Sequence, residues 1–187
     1  MKVLRLLLRL IIGVLFVGHG TQKLFGWWGG HGLDATAQGF EQMGMRPGKA
    51  NAIAAGVGEA GGGALLAAGF LTPLAGASIV ATMLTAMHRV HFKNGPWLTN
   101  GGYEYNLVLI AAVLAVVEAG PGPLSVDAAI GHERKGIGWA LAALVVGGLG
   151  SAGAHFASAA FAPAPEPDPA PEPQQDSEPE PATEPQA

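Results

Sequence analysis

Eighteen consecutive residues, Ile137 to Ala154, carry no ionisable side chain. A helix needs roughly 20 predominantly apolar residues to cross the hydrocarbon core of a bilayer. Continued to about Ala160, this run has that length. Lipid offers no partner to a backbone N–H or C=O, so a segment of this kind must satisfy its own backbone, and it is committed to helix. Trp139 near its start suits the membrane interface, where an indole buries its ring and keeps its N–H wet.

The rest of the chain repeats the pattern. Hydrophobic residues make up 49% of the 187 and charged residues 13%, with mean hydropathy +0.32. Soluble domains carry about 25% charged residues. A first span runs from about Val3 to Phe25, with an apolar centre from Leu10 to Gly18. Arg5, Arg9 and Lys23 near its ends have stems long enough to reach the interface. Between Asn51 and Val90 the apolar stretch is too long for one crossing. Thr72-Pro73 divides it, because proline lacks a donor and restrains the residue before it. This predicts spans over about 51–71 and 74–90. A fourth covers about 105–119, starting near Tyr103 and ending at the GPGP of Gly120 to Pro123. After a linker at 124–136 comes the fifth. The fold class expected is an all-α membrane protein: a four-transmembrane-helix bundle with an additional C-terminal transmembrane helix and a disordered tail.

Charge assigns the ends. From Pro163 to Ala187 there are seven acidic residues, nine prolines and no basic residue, whereas residues 1 to 162 carry ten Lys+Arg against seven Asp+Glu. The tail cannot form a core and is expected to be extended and disordered. It reads either as a spacer or tether in the cell envelope, or as a solvated end without a partner. Lys2, Arg5 and Arg9 favour a cytoplasmic N-terminus. Five spans then place the tail outside, with Arg134 and Lys135 inside. Arg46, Lys49, Arg89 and Lys93 on the opposing loops weaken the bias. No Ala-x-Ala site follows the first span, so it reads as a retained helix rather than a signal peptide. The location expected is the bacterial inner (plasma) membrane, multi-pass. The absence of cysteine excludes disulfides, thiol redox chemistry, Cys-ligated zinc and iron–sulfur clusters. No basic surface resembles a nucleic-acid site.

In such a chain the ionisable residues inside spans are the informative ones, because hydrocarbon penalises them and they turn to a bundle interior or a cavity. Glu59 sits mid-span in AAGVGEAGGGALLAAG. It must be protonated, paired or wet, and Arg9 and His19 are its candidate partners. It reads equally as a proton-handling or ligand-binding carboxylate and as one half of a structural pair. Gly56, Gly58 and Gly61 spell G-x-G-x-x-G, but inside an apolar helical run and not after a strand, so they read as packing and not as a nucleotide site. Gly58 and Gly62 form G-x-x-x-G, which lets helices approach closely. His88 and His91, three apart, share a helix face. They could hold a metal, haem, a proton or a headgroup, but they also fit a basic interface, and no third ligand supports a metal. Met83 and Met87 read as packing. Glu104, between Tyr103 and Tyr105, complements a helix N-terminus. HERKG at His132 lacks the second histidine of a zinc protease. His31 and His155 stand alone.

The combination resembles the DoxX family of small bacterial membrane proteins. RLIIGVLFVGHGTQKLFGWWGG (Arg9 to Gly30) is similar to the family's opening, with an arginine, a glycine-containing helix and G-x-x-K-L-x-G. GEAGGGALLAAGFLTPLAG (Gly58 to Gly76) resembles its glutamate-plus-glycines helix. MHRVHFKNGPW and GGYEYNLVLIAAVLAVVEAGPGPLSVDAAI resemble its third and fourth helices, and G-P-G-x-x-S-x-D is the most specific part. The resemblance covers residues 1–131, leaving 132–161 as linker and fifth helix and 162–187 as tail. It implies a component of a membrane redox or oxidant-detoxification complex, since the family is named after a subunit associated with a thiosulfate:quinone oxidoreductase. Some relatives are linked to a superoxide dismutase and a sulfurtransferase. The matching polar positions are Arg9, Lys23, Glu59, His88, Asn100, Glu104 and Asp127, to which spacing adds His19 and His91. No intrinsic cofactor is expected, so redox chemistry would need a quinone or a partner's cofactor. The alternative is a binding or transport protein for a small hydrophobic or lipid-like ligand, with Trp27, Trp28 and Trp97 around the mouth of a cavity.

Overall fold

The computed structural model describes residues 2–162. The disorder expected of the acidic tail falls on 163–187, outside the described residues. Seven α-helices and no strand occur among those described: α1 Lys2–Phe25, α2 Gly32–Gln42, α3 Gly48–Ala68, α4 Thr72–Ala86, α5 Glu104–Ala119, α6 Val126–Ala129 and α7 Ile137–Ala159. A π-helical turn, Met87–His91, continues α4, and short 3-10 turns cover Trp27–Gly29, Phe92–Asn94 and Leu98–Asn100.

Two of the helices, Val3–Phe25 and Ile137–Ala159, are long and apolar enough to cross a membrane. Their outer faces carry an apolar belt: Leu4, Leu7, Ile11 and Val14 on α1 and Leu141, Val145 and Leu149 on α7 are all exposed. Water would penalise a continuous face of that kind, whereas lipid matches it. Helices α4 and α5 have 15 and 16 residues, short of the roughly 20 that a straight crossing uses.

The chain alternates direction. Gly13 of α1 lies on Gly63 of α3, and Gly20 lies on Gly56, so these helices run antiparallel. Ser78 of α4 donates to the Gly58 carbonyl at 2.8 Å across the next hairpin. Asn106 of α5 meets Met83 of α4, antiparallel again. Helix α7 pairs parallel to α4, as Val80–Gly147, Thr85–Ser151 and Arg89–His155 advance together. Residue 2 and Ala159 therefore lie at opposite ends of the bundle.

Between lipid-facing helices the hydrophobic effect supplies little, so close packing and interhelical hydrogen bonds hold the bundle. A Cβ on Gly63 would sit 2.5 Å from the Gly13 carbonyl oxygen, and one on Gly13 would sit 2.5 Å from that of Gly63. The glycines of the apparent nucleotide motif serve different neighbours. Gly56 meets Leu24 of α1, Gly58 and Gly62 meet Ser78 of α4, and Gly61 faces open space. All lie inside α3, so no strand-to-helix turn exists for a phosphate. The interior is filled by Ile12, Phe16, Leu66, Ala75, Ile79, Val113 and Val116.

Residues 26–47 lie between the first two predicted spans. They contain α2, whose apolar residues are too few and too scattered to signal it. Glu41 ties its end down, accepting from the Gly48 N–H at 2.5 Å and from Arg46 Nε at 3.1 Å, which also satisfies an orphan donor at the start of α3. The linker likewise contains α6, capped by Ser125 accepting from the Ala128 N–H at 3.1 Å.

Candidate functional site

The two ends of the bundle differ in kind. At the end holding the start of α1, Arg9 is 1% exposed. Its Nε donates to the Leu66 carbonyl at 3.1 Å, and its Nη2 donates to those of Ala67 at 2.8 Å and Leu124 at 3.1 Å. Its Nη1 donates to that of Pro121. Two of these carbonyls belong to the last turn of α3, where a cation complements the helix dipole. Arg5 does the same for α5, donating to the Ala119 carbonyl at 2.5 Å. Asp127 is 2% exposed and holds the start of α4, accepting from the Leu71 N–H at 2.9 Å, the Thr72 N–H at 3.1 Å and the Thr72 hydroxyl at 2.8 Å. Leu71 sits in the left-handed region at φ 46°, a cost of about 1 kcal/mol that these bonds offset. Gly69, at φ 63°, leaves room for Arg9, since a Cβ there would lie 2.7 Å from its Cζ. This end is a polar clasp with all its groups engaged.

The other half of the bundle is hollow. A partly open cavity of about 470 Å³ lies among α1, α3, α4, α5 and α7, with Phe40 of α2, Met43 and Met45 also in its wall. Such a volume falls in the range of small-molecule sites, about 300–1,000 Å³. Its wall is mainly apolar, with Ile12, Leu15, Phe16, Met83 and Leu109 prominent. Asn51, Thr82, Thr85 and Asn106 also line it, and two groups that carry its charged side chains interrupt it.

The first is an ion pair. Glu59 Oε2 and Lys23 Nζ are 2.6 Å apart, with the glutamate side chain 8% exposed and the lysine 28%. The partner of Glu59 is thus Lys23, and neither Arg9 nor His19. Antiparallel α1 and α3 bring Lys23, near the end of α1, within reach of Glu59 at the middle of α3, whereas Arg9 is carried to the opposite end. His19 does line the cavity, but its Nδ1 meets Gln22 Oε1 at 3.2 Å.

The second group stands on the π-helical turn. Arg89, Val90 and His91 are consecutive, and all three line the cavity. A regular helix would spread three consecutive residues over about 200°; the π turn re-aims them. His91 Nδ1 lies 2.7 Å from the Gly101 carbonyl, so Nδ1 carries the proton and Nε2 is left as acceptor. Arg89 Nε donates to His155 Nδ1 at 2.9 Å, which places the proton of that neutral ring on Nε2. His155 Nε2 is buried without a partner. His155 was read from sequence as an isolated histidine. Its ring lies against that of His88, with centroids 4.4 Å apart and the planes tilted by 50°, and it anchors Arg89. Nothing local signals this, because the two residues are 66 positions apart.

The remaining candidates lie elsewhere. His88 is exposed and does not line the cavity. Asn100 is exposed in its 3-10 turn. Glu104 accepts from the Leu98 N–H at 2.7 Å, closing the loop before α5. Trp27, Trp28 and Trp97 are exposed and not part of the cavity wall. Among the described residues no cluster of three His, Asp or Glu could hold a metal.

Apolar outer faces, a glycine-packed interior and ionisable groups turned inward define a helical membrane protein. The DoxX family model matches residues 4–92. A Bacillus subtilis (strain 168) protein described as "Putative oxidoreductase CatD" is 33% identical over 111 residues, 59% of this chain and 76% of the relative. No solved structure matches. The chain belongs to the DoxX family.

Proposed function

We propose that this protein is a multi-pass inner-membrane component of a redox or oxidant-detoxification system, and that its cavity binds a small hydrophobic molecule of the quinone class beside Lys23–Glu59. The observation that carries this reading is a paired carboxylate on the wall of an otherwise apolar cavity inside a membrane bundle. The name of the Bacillus relative favours redox chemistry in the same direction. Here α1, α3, α4, α5 and α7 cross the membrane, with the start of α1 cytoplasmic and the cavity in the outer half.

The residues fit such a ligand. Apolar walls from α1, α4 and α5 accept a ring and part of a chain, and the polar groups provide hydrogen-bonding ends. A bound quinone supplies two-electron, two-proton chemistry. The chain's own part is to line the ligand with apolar side chains and to orient it beside Lys23 and Glu59. Electrons would come from the redox cofactor of a partner enzyme, and a superoxide dismutase or sulfurtransferase is a candidate associated subunit rather than the electron source.

The test is titration of the full chain in nanodiscs with a neutral alkylquinone, followed by tryptophan fluorescence and thermal unfolding. Saturable quenching with a rise in Tm is expected, and Glu59→Gln should weaken binding about tenfold. A flat response to quinones overturns the reading. Equal binding of a redox-inert hydrophobic molecule favours the second reading, a carrier without catalysis, which the apolar wall also supports. Affinity purification in mild detergent, with an unrelated membrane protein as control, tests the partners. Enrichment of a redox enzyme is expected.

A further inference from the structure

The cavity's two cations are not equivalent. Lys23 is neutralised by Glu59 at 2.6 Å. Arg89 also lines the cavity, but the groups that hold it are neutral: His155 Nδ1 at 2.9 Å and the Met43 carbonyl at 3.5 Å. Among the described residues no carboxylate pairs with it within 4.0 Å. A cation without a counter-ion in a low-dielectric site is costly, and a ligand anion relieves that cost. Arg89 is also pre-oriented. The π turn aims it inward, His155 occupies its Nε and the Met43 carbonyl faces its Nη1, which leaves Nη2 to meet a ligand in the cavity. Arginine matches an ionised oxygen pair in geometry as well as charge. The helix that supplies His155 lies beyond residue 92, where the match to the family model stops, so this arrangement depends on the chain's own last helix.

We infer that Arg89 is the anion-recognising residue of the cavity, selecting an amphiphile whose head bears an ionised oxygen, a carboxylate or an ionised hydroxyl on a ring. The inference rests on the preceding reading only in placing the ligand in this cavity. His155 acts as a positioning residue through Arg89.

The experiment uses the full chain in phosphatidylcholine nanodiscs and two probe pairs that differ in one charge. One pair is dodecanoate and dodecanol. The other is a 2-hydroxy-3-alkylnaphthoquinone, ionised at neutral pH, and its methyl ether. Dodecanoate is expected to bind at least tenfold tighter than dodecanol, and the hydroxyquinone tenfold tighter than the ether. Arg89→Gln should bring both ratios to about one. If that variant does not fold, His155→Phe, which keeps the charge but releases the guanidinium, should narrow the ratios about threefold. Ratios near one in the wild type, or ratios unchanged in the variant that folds, overturn the inference. Phosphatidylglycerol nanodiscs separate the sources of the anion: competition with dodecanoate assigns the site to a bilayer lipid head, and its absence to a diffusible amphiphile. Dodecanoate binding without binding of either quinone sustains this inference and sinks the quinone reading. Binding of the ether with no preference for the hydroxyquinone does the reverse. Silence from all four probes sinks both.

Discussion

Glu59 and Lys23 stabilise each other only as a pair. Removing one leaves a charge facing an apolar cavity, a loss of about 2 kcal/mol. Lys23→Met or Glu59→Met should therefore lower Tm by about 6 °C. The double variant, with no charge left to strand, should be less damaged than either single one; additive losses in thermal unfolding would show that the two do not interact. Arg9 makes a different prediction. It serves four carbonyls in a fork that lysine cannot copy. Arg9→Lys should cost about 3 kcal/mol, nearly as much as Arg9→Gln, without altering ligand affinity in whatever protein folds. An Arg9→Lys variant with wild-type Tm would remove the clasp from the account.

At the scale of elements, the α1–α3 seam depends on the absence of side chains. The contact of Gly13 with Gly63 admits no methyl group, so Gly63→Ala should force the helices apart at a cost of about 2 kcal/mol. Gly61, two residues away on the same helix, has nothing within 4 Å. Gly61→Ala should be neutral or stabilising by about 0.5 kcal/mol, as alanine favours helix. Equal Tm values for the two variants would contradict the packing described. The same contrast shows why a glycine motif in sequence is ambiguous: identical residues at neighbouring positions face α1, α4 and open space.

For the whole molecule, the helix directions put residues 26–47 and 92–103 at one end of the bundle and 120–136 at the other, and the proposed topology sets those ends on opposite sides of a membrane. The chain has no cysteine, so single cysteines report the sides cleanly. Gln42→Cys and Thr99→Cys, both exposed, should react with an impermeant maleimide in intact cells. Gly131→Cys should react only after permeabilisation. Labelling of all three in intact cells would overturn the crossing pattern.

Much of this was legible in the residues. Helix content and the break at GPGP follow from local chemistry, because apolar runs must satisfy their own backbone and proline cannot continue them, whereas the reversal expected at Thr72-Pro73 falls at 69–71, with Gly69 closing α3 and Pro73 inside the first turn of α4. Glu59 stood out because a carboxylate within an apolar run cannot be ordinary. Helix α2 was missed because its residues are too mixed to show a period, and its position rests on Glu41 reaching Gly48. What only the tertiary structure decided is which groups meet. Antiparallel α1 and α3 bring Lys23 rather than Arg9 to Glu59, and parallel α4 and α7 bring His155 to Arg89. Both pairings depend on helix direction and register across tens of residues. Those are set by where glycines allow close approach and where the clasp of Arg9 and Asp127 ties the helix ends together. No local pattern encodes the cavity, since it is the space those contacts leave unfilled.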